Sequence, residues 1–480
     1  MLMLTNHPMI DVGIAVIVSH FDLDDPADVT KEQLKEFAQY LEKTYSSPYF
    51  HSFLSVLFPN SAYVNPTMKE ERKREALDEV LYGFLKDEEG SNGTCSFCGQ
   101  PSHFRAFRQH VPLLTGEGLI NFFPSRRTGL EICPYCLLAV QAFPLGSLKI
   151  SGQAFFVHAD DFNVTIELAH RFKLMNEQNA LLKEAKASPD MKYPKTQFIR
   201  QFLEVDRFLK YEEPEGSVTI YHLTNYGTNA DISMYHLPVQ ILSFVYDMKS
   251  AAFYQTWQQM AHDAWGVPSK KGKKGEKGTQ SFNLPNRLYE DLFDLPAGYA
   301  SFIRTHLVEG AIRRYKSLLN GKEKDILHYW EIGKHLMKEV VQVREEKIEE
   351  IKQMADRLVE YLLKTDDHHF FQRFYHLRNR NKYVEYEELR NLFIKANNHA
   401  IRHGANLDQS WELPITFDQF INVFEQWEDP YEGNWQVGRD LILIRMMEQL
   451  YEKKWFTRHR EILKESEPEE DENQLEKEEA

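Results

Sequence analysis

The chain has 480 residues, more than one hydrophobic core usually supports, so two or three domains are expected. Hydrophobic residues make up 42% and aromatics 13%, enough to fill packed interiors, and no run approaches the roughly 18 apolar residues of a spanning helix. The net charge of −15 argues against nucleic acid less than it suggests: Glu465 to Glu479 holds nine carboxylates and one lysine, and removing that −8 leaves −7 on the body.

Without a basic, cleavable leader or a spanning segment, the chain is expected to be cytoplasmic and to have no membrane partner. Residues 8–20 are an apolar run with Asp11 and Gly13 set into it. After a cap at Asp28 or Thr30, Leu34, Phe37, Ala38 and Leu41 give residues 31–45 the spacing of a helix. A further helix is expected over 69–86, and Asp87 to Gly93 forms a loop leading to the cysteines.

All four cysteines fall into two pairs, Cys95-Ser-Phe-Cys98 and Cys133-Pro-Tyr-Cys136, with 34 residues between them. Two intervening residues let both thiolates of a turn face one tetrahedral ion, and two such turns complete a four-thiolate shell. Gly99 supplies permissive backbone after the first pair, and Pro134 stiffens the second. A closed shell leaves no position for water, so a structural zinc ion is expected rather than a catalytic one. Disulfides, a redox pair and simple burial compete with this reading; compartment and the two matched spacings disfavour them.

Between the pairs, Arg105, Arg108, His110, Arg126 and Arg127 alternate with Phe104, Phe107, Phe122 and Phe123. Such residues suit phosphate contact and base stacking, or equally a small core with a solvated arginine face. Ile150 to His158 and Ser217 to Leu223 are expected strands, with a helix over 163–187 between them. Thr224 to Ala230 is a polar turn, in which Asn225 and Tyr226 either serve the turn or face a ligand. Residues 269–280 carry Lys270, Lys271, Lys273, Lys274 and Lys277 with three glycines, as a flexible basic linker or a phosphate-brushing loop.

Beyond Asn283 the pattern turns helical, over 286–320, 322–365, 385–403, 416–427 and 437–464. Residues 368–382 add Arg373, Arg378, Arg380 and Lys382 beside Phe370, Phe371 and Tyr375. The fold expected is α+β. A mixed α/β N-terminal part (1–90 and 141–268) carries an inserted four-cysteine zinc module (91–140). A basic linker (269–283), a helical region (284–365), an all-helical C-terminal bundle (366–464) and an acidic disordered tail (465–480) follow. No phosphate-binding Gly-rich loop, nucleophile elbow or His-Glu-x-x-His is present, and His262-Asp263 and His368-His369 stand without obvious partners. An enzyme is not expected.

The opening Asn6-His7-Pro8-Met9-Ile10-Asp11-Val12-Gly13-Ile14-Ala15, the two cysteine pairs, and Asn225-Tyr226-Gly227 leading to Tyr235-His236-Leu237-Pro238 resemble one family. It is the CXXC–CXXC family of CRISPR-associated proteins, large subunits of type I-B Cascade complexes. The resemblance implies a non-catalytic subunit that binds near the crRNA 5′ handle beside the Cascade backbone and handle-binding subunits. It implies recognition of the protospacer-adjacent motif in target double-stranded DNA and recruitment of a helicase-nuclease. It also implies a C-terminal part like a small subunit, which can be made separately from an internal start; Met337 and Met354 are placed for that. By chemistry, Arg105, Arg108, Arg126 and Arg127 rank first as nucleic-acid contacts, then Asn225 and Tyr226, then the lysine loop. Two other classes compete: a stand-alone zinc-containing nucleic-acid-binding regulator, and a metal-dependent nuclease built from His262, Asp263, His368 and His369.

Overall fold

The structure is a computed structural model. It describes residues 2–86, 93–102, 104–118, 128–181, 191–204, 215–226, 230–266, 284–322, 325–377, 382–406, 413–426 and 435–464. Arg126, Arg127, Phe122, Phe123, Gly227, Arg378, Arg380, the lysine-rich segment and the acidic tail lie outside the described residues. The fold is α+β, in two compact units: Met1–Tyr246 with Gly266–Phe293, and Asp247–Trp265 with Asp294–Ala480. These units cut the chain differently from the segments drawn on composition, because packing joins stretches distant in sequence.

The first unit is organised around α1 (Pro8–His20). Pro8 sits in the first turn, where its missing N–H is no loss, and every residue from Met9 to Val18 is buried. A helix apolar on all sides belongs in a core, and α1 packs against α5 (Pro134–Ala142) and α6 (Phe162–Leu181). Gly13 is what permits the crossing with α5. A Cβ built there would stand 1.8 Å from the carbonyl oxygen of Ala139. Asp11, buried in the first turn of α1, accepts from Thr5 N and Oγ1 at 2.9 Å each and meets His158 Nε2 at 3.3 Å. Its negative charge at the positive end of the helix is favourable, and it ties the N-terminal segment to the sheet.

Around α1 lie α2 (Lys31–Tyr45), α3 (Pro48–Leu57) and α4 (Glu70–Leu81). The start of α2 is a reciprocal cap between Thr30 and Gln33. The sheet is four-stranded and antiparallel, in the order β5 (Leu148–Ile150), β6 (Gln153–Ala159), β7 (Val218–Thr224), β8 (Asp231–Leu237). Successive residues of β6 serve opposite faces: Phe156 stacks on Tyr221 at 5.1 Å and meets Phe143 at 5.3 Å, whereas Phe155 meets Phe172 of α6 at 5.9 Å. The short helices α7 (Pro194–Leu203), α8 (Val239–Asp247) and α10 (Arg287–Asp291) follow in chain order around α9 (Tyr254–Asp263), which belongs to the second unit.

The second unit is helical. α11 (Tyr299–Phe302) passes through a π-helical stretch, Ile303–Val308, into α12 (Glu309–Leu319). α13 (Tyr329–His335) ends in a second such stretch, Leu336–Val340. α14 (Glu345–Thr365), α15 (His368–His376), α16 (Lys382–Asn406), α17 (Phe417–Phe424), α18 (Trp435–Glu452) and α19 (Glu461–Lys464) complete it. The apolar stripe of 322–365 is thus split between α13 and α14. Buried Ile348, Ile351, Ala355, Leu358 and Leu362 give α14 one apolar face, set against α18. No helix among the described residues is long and apolar enough to cross a membrane.

α18 carries charges into this core. Arg439 is fully buried, donating to Asp440 Oδ1 at 2.8 and 2.6 Å and to Leu377 O at 3.3 Å. Glu448 Oε1 accepts from the backbone N–H of Trp330 at 2.8 Å, satisfying a free donor at the start of α13. Burial pushes the Glu448 carboxyl up to about 8.

Gly13→Ala is expected to lower the stability of the first unit by about 2 kcal/mol or more, since the new carbon meets backbone that cannot turn aside. Denaturant unfolding followed by far-UV circular dichroism checks this. Glu448 generates a second expectation. Its folded pKa of about 8 exceeds the ordinary 4.5, so the folded state binds the extra proton and stability falls as pH rises from about 4.5 to 8. Glu448→Gln keeps the acceptor and removes the titration. Above pH 8 it should be more stable than wild type by on the order of a few kcal/mol, with near parity at acidic pH. All seven tryptophans belong to the second unit, so their fluorescence isolates its unfolding.

Candidate metal centre

The two cysteine pairs are presented by different local structures. In the first, β1 (Gly93–Thr94) pairs antiparallel with β2 (Pro101–Ser102), and Cys95 to Gly99 make the turn between them. Cys95 N donates to Gln100 O at 2.8 Å and Gly99 N to Cys95 O at 3.0 Å. Gly99 adopts φ +76°, the left-handed region that the turn requires. In the second, β4 (Leu130–Ile132), paired with β3 (Phe104–Ala106), runs straight into α5. Cys133 is the N-cap of α5: its Sγ accepts from Cys136 N at 3.4 Å, and Pro134 fills the first helical position.

The two halves are bonded together. Ser96 N donates to Glu131 O at 2.9 Å, and the buried Ser102 hydroxyl donates to Ile132 O at 2.9 Å. All four Sγ atoms lie within 4.8 Å of one another. Cys98 and Cys133 are 3.5 Å apart, well beyond the roughly 2.05 Å of a disulfide, and all four cysteines are free. A tetrahedral ion with metal–sulfur bonds of about 2.3 Å sets its sulfurs about 3.8 Å apart, so the donor set fits such an ion. Cys95, Cys133 and Cys136 are buried and Cys98 is half-buried.

Hydrogen bonds from Cys133 and Cys136 hold the Cys95 thiol far below its ordinary value. Cys133, drawn down by Cys136 but pushed up by Cys95 and by burial, reaches about 12. Hydrogen bonding to Cys133 and Cys95, with burial, drives Cys136 well above the thiol range. A bound divalent ion would favour the thiolate form of its ligands. Among the described residues these four cysteines are the one group placed to hold a metal ion.

Residues 88–148 match the model of a family described as CRISPR-associated protein (Cas_CXXC_CXXC). The match covers the module, all of α5 and the first residue of β5. Nothing among the curated proteins or the solved structures matches the chain.

The N-terminal motif and the Asn225 turn both meet this module. The His7 ring stands edge-on to Phe97, inside the first cysteine pair, with centroids 4.9 Å apart; burial lowers the His7 pKa. Asn225 is fully buried. Its Nδ2 donates to Leu57 O at 2.8 Å and Arg108 O at 3.3 Å; its Oδ1 accepts from Arg108 Nε at 3.0 Å and Leu113 N at 3.2 Å. Its own backbone N–H donates to Val56 O at 3.2 Å. One amide therefore fastens the end of α3, the loop after β3 and the end of β7.

The polar atoms of Asn225 and Arg108 are engaged within the fold, at a sequence separation of 117 residues. Arg105 is likewise bonded inside the module, to Glu131 Oε1 at 2.6 Å and to Thr128 O. Tyr226 alone of the ranked residues within the description is well exposed, at 65%. Arg126, Arg127, Lys270, Lys271, Lys273 and Lys274 lie outside the described residues. The roles of His7, Glu131 and Ser102 were not anticipated; Glu131, one of two carboxylates among four arginines, was the available signal. His262 contacts Asp263 at 3.3 Å and is 82% exposed. His368 stacks on His459 at 5.3 Å, and His459 bonds Asp366 at 2.8 Å.

The purified, reduced chain is expected to carry one metal ion, lost in Cys136→Ser. Chelation should then raise amide exchange through 93–106 and 128–142 while leaving the tryptophan-reported melt of the second unit in place. Elemental analysis and hydrogen-exchange mass spectrometry read these outcomes.

Proposed function

We propose that the chain is the large subunit of a type I-B Cascade surveillance complex, with a structural zinc ion in its four-thiolate site and no catalytic role of its own. In this reading it binds near the crRNA 5′ handle, recognises the protospacer-adjacent motif in duplex DNA and helps recruit the helicase-nuclease. The observation that carries the reading is the family match at 88–148, on a four-sulfur cluster that also anchors the two other motifs of the resemblance. Division of labour between a protein-read motif and a guide-read sequence suits a subunit whose one candidate metal site among the described residues is a closed four-thiol cluster. Zinc is the ion favoured by four thiolates in tetrahedral reach, with an iron–sulfur centre the chemical rival.

The geometry also ranks the two internal starts. Met337 lies in the π-helical stretch before α14, so translation from it keeps α14 whole. Met354 lies inside α14, and starting there deletes Glu345 to Gln353, including Lys347, which bonds Gln426 O at 2.8 Å. On this reading a small-subunit product would start at Met337.

The test is assembly with crRNA and backbone subunits, followed by mobility shift on target duplexes with and without the cognate motif. Tyr226→Ala should weaken binding of the cognate duplex by about tenfold, the worth of one stacked base, without impairing assembly. Asn225→Ala should instead destabilise the first unit, since it strips four bonds from buried groups. A crRNA complex that binds its target equally well without this chain would overturn the proposal. Tight duplex binding by the isolated chain would favour the stand-alone regulator.

A further inference from the structure

The second unit contains a cationic cleft that the proposed function does not use. A cavity of about 470 Å³ opens between α15 and α16, lined by Gln372, Arg373, His376, Glu388, Asn391 and Lys395 over an apolar floor of Leu377 and Leu392. Among the described lining residues, two permanent cations and an imidazole stand against one carboxylate. The exposed face of α16 continues the pattern: Arg390, Ile394, Lys395, Ile401 and Arg402 recur at helical spacing, with Ile394 51% and Ile401 55% exposed. Among the described residues no carboxylate pairs with Arg373, Lys395 or Arg402. Unpaired cations around an apolar strip make a surface complementary to an extended acidic segment.

Such a segment lies next in the chain. Residues 465–480 carry nine carboxylates, one lysine and one large apolar residue, Leu475. The chain reaches them from beside α15: Trp455 and Phe456 pack on Phe371 at 5.6 and 5.4 Å, His459 stacks on His368, and α19 follows. From His368 to His376 is about 12 Å along α15, and sixteen residues can span about 50 Å, so reach is ample. We propose that the acidic segment 465–480 docks in the α15–α16 cleft of its own chain and excludes other polyanions from it. The segment's −8 of the chain's −15 would then lie against a basic site and mask it.

Two measurements test this on the full chain. The first compares binding of fluorescently labelled inorganic polyphosphate, at low ionic strength, by the full chain and by a variant ending at Lys464. Removal of the segment should tighten binding by about tenfold, with a gain that fades as salt rises. Arg373→Glu with Lys395→Glu should abolish the gain; both side chains are exposed, and an unchanged tryptophan melt verifies the fold. The second is zero-length carbodiimide coupling, which should join Lys395 to a carboxylate of 465–480. Unaltered polyphosphate binding on truncation, a gain that survives the double substitution, or tail crosslinks that avoid Lys395 would each overturn the proposal. Crosslinks found only between isotopically distinct copies would overturn it in favour of docking on a second molecule.

Discussion

Helix α5 begins at one of the four clustered cysteines and ends in the centre of a core, and the first unit depends on that coincidence. Cys133 caps the helix, Cys136 completes its first turn, and Ala139 in its second turn accepts the backbone of α1 at Gly13. An ion held by the four sulfurs would therefore fix the start of the helix against which the most buried element of the unit is laid. Metal affinity and folding free energy become one quantity in such an arrangement. That coupling fits a set of four thiol donors, three of them buried.

Around this axis, polar groups are used as fasteners. Asn225 closes three segments with one amide, Asp11 joins the N-terminal stretch to β6, and Ser102 joins the two cysteine turns. Each is buried and each is bonded, which matters because an unmet polar group in such a place costs more than the bond contributes. In the second unit Arg439 and Glu448 perform the same work between helices. Side chains that look suited to meeting a ligand are here mostly occupied in meeting one another.

This explains what could be read from the sequence. Signals confined to a few residues were legible: the Thr30–Gln33 cap, the spacing of Cys95, Cys98, Cys133 and Cys136, the apolar face of α14, the strands β6 and β7. Residues 8–20 gave no period because α1 is buried on every side, so neither alternation nor a stripe marked it as a helix. The bracket between Arg108 and Asn225 was not legible for another reason. Their partners lie over a hundred residues away, and arginine and asparagine serve nucleic acid and internal brackets equally well. Residue type states a capacity; only packing states how it is employed.

The register Phe104↔Ile132, with Arg105 bonded back to Thr128 O, closes a neck at the base of the cysteine module. Leu113 is then held by Asn225, so the sequence between Leu113 and Thr128 leaves from and returns to fixed points. A loop whose ends are already joined costs little to lengthen, about 0.6 kcal/mol for each doubling. The module acts as a socket in which four sulfurs placed to hold an ion sit at the start of α5.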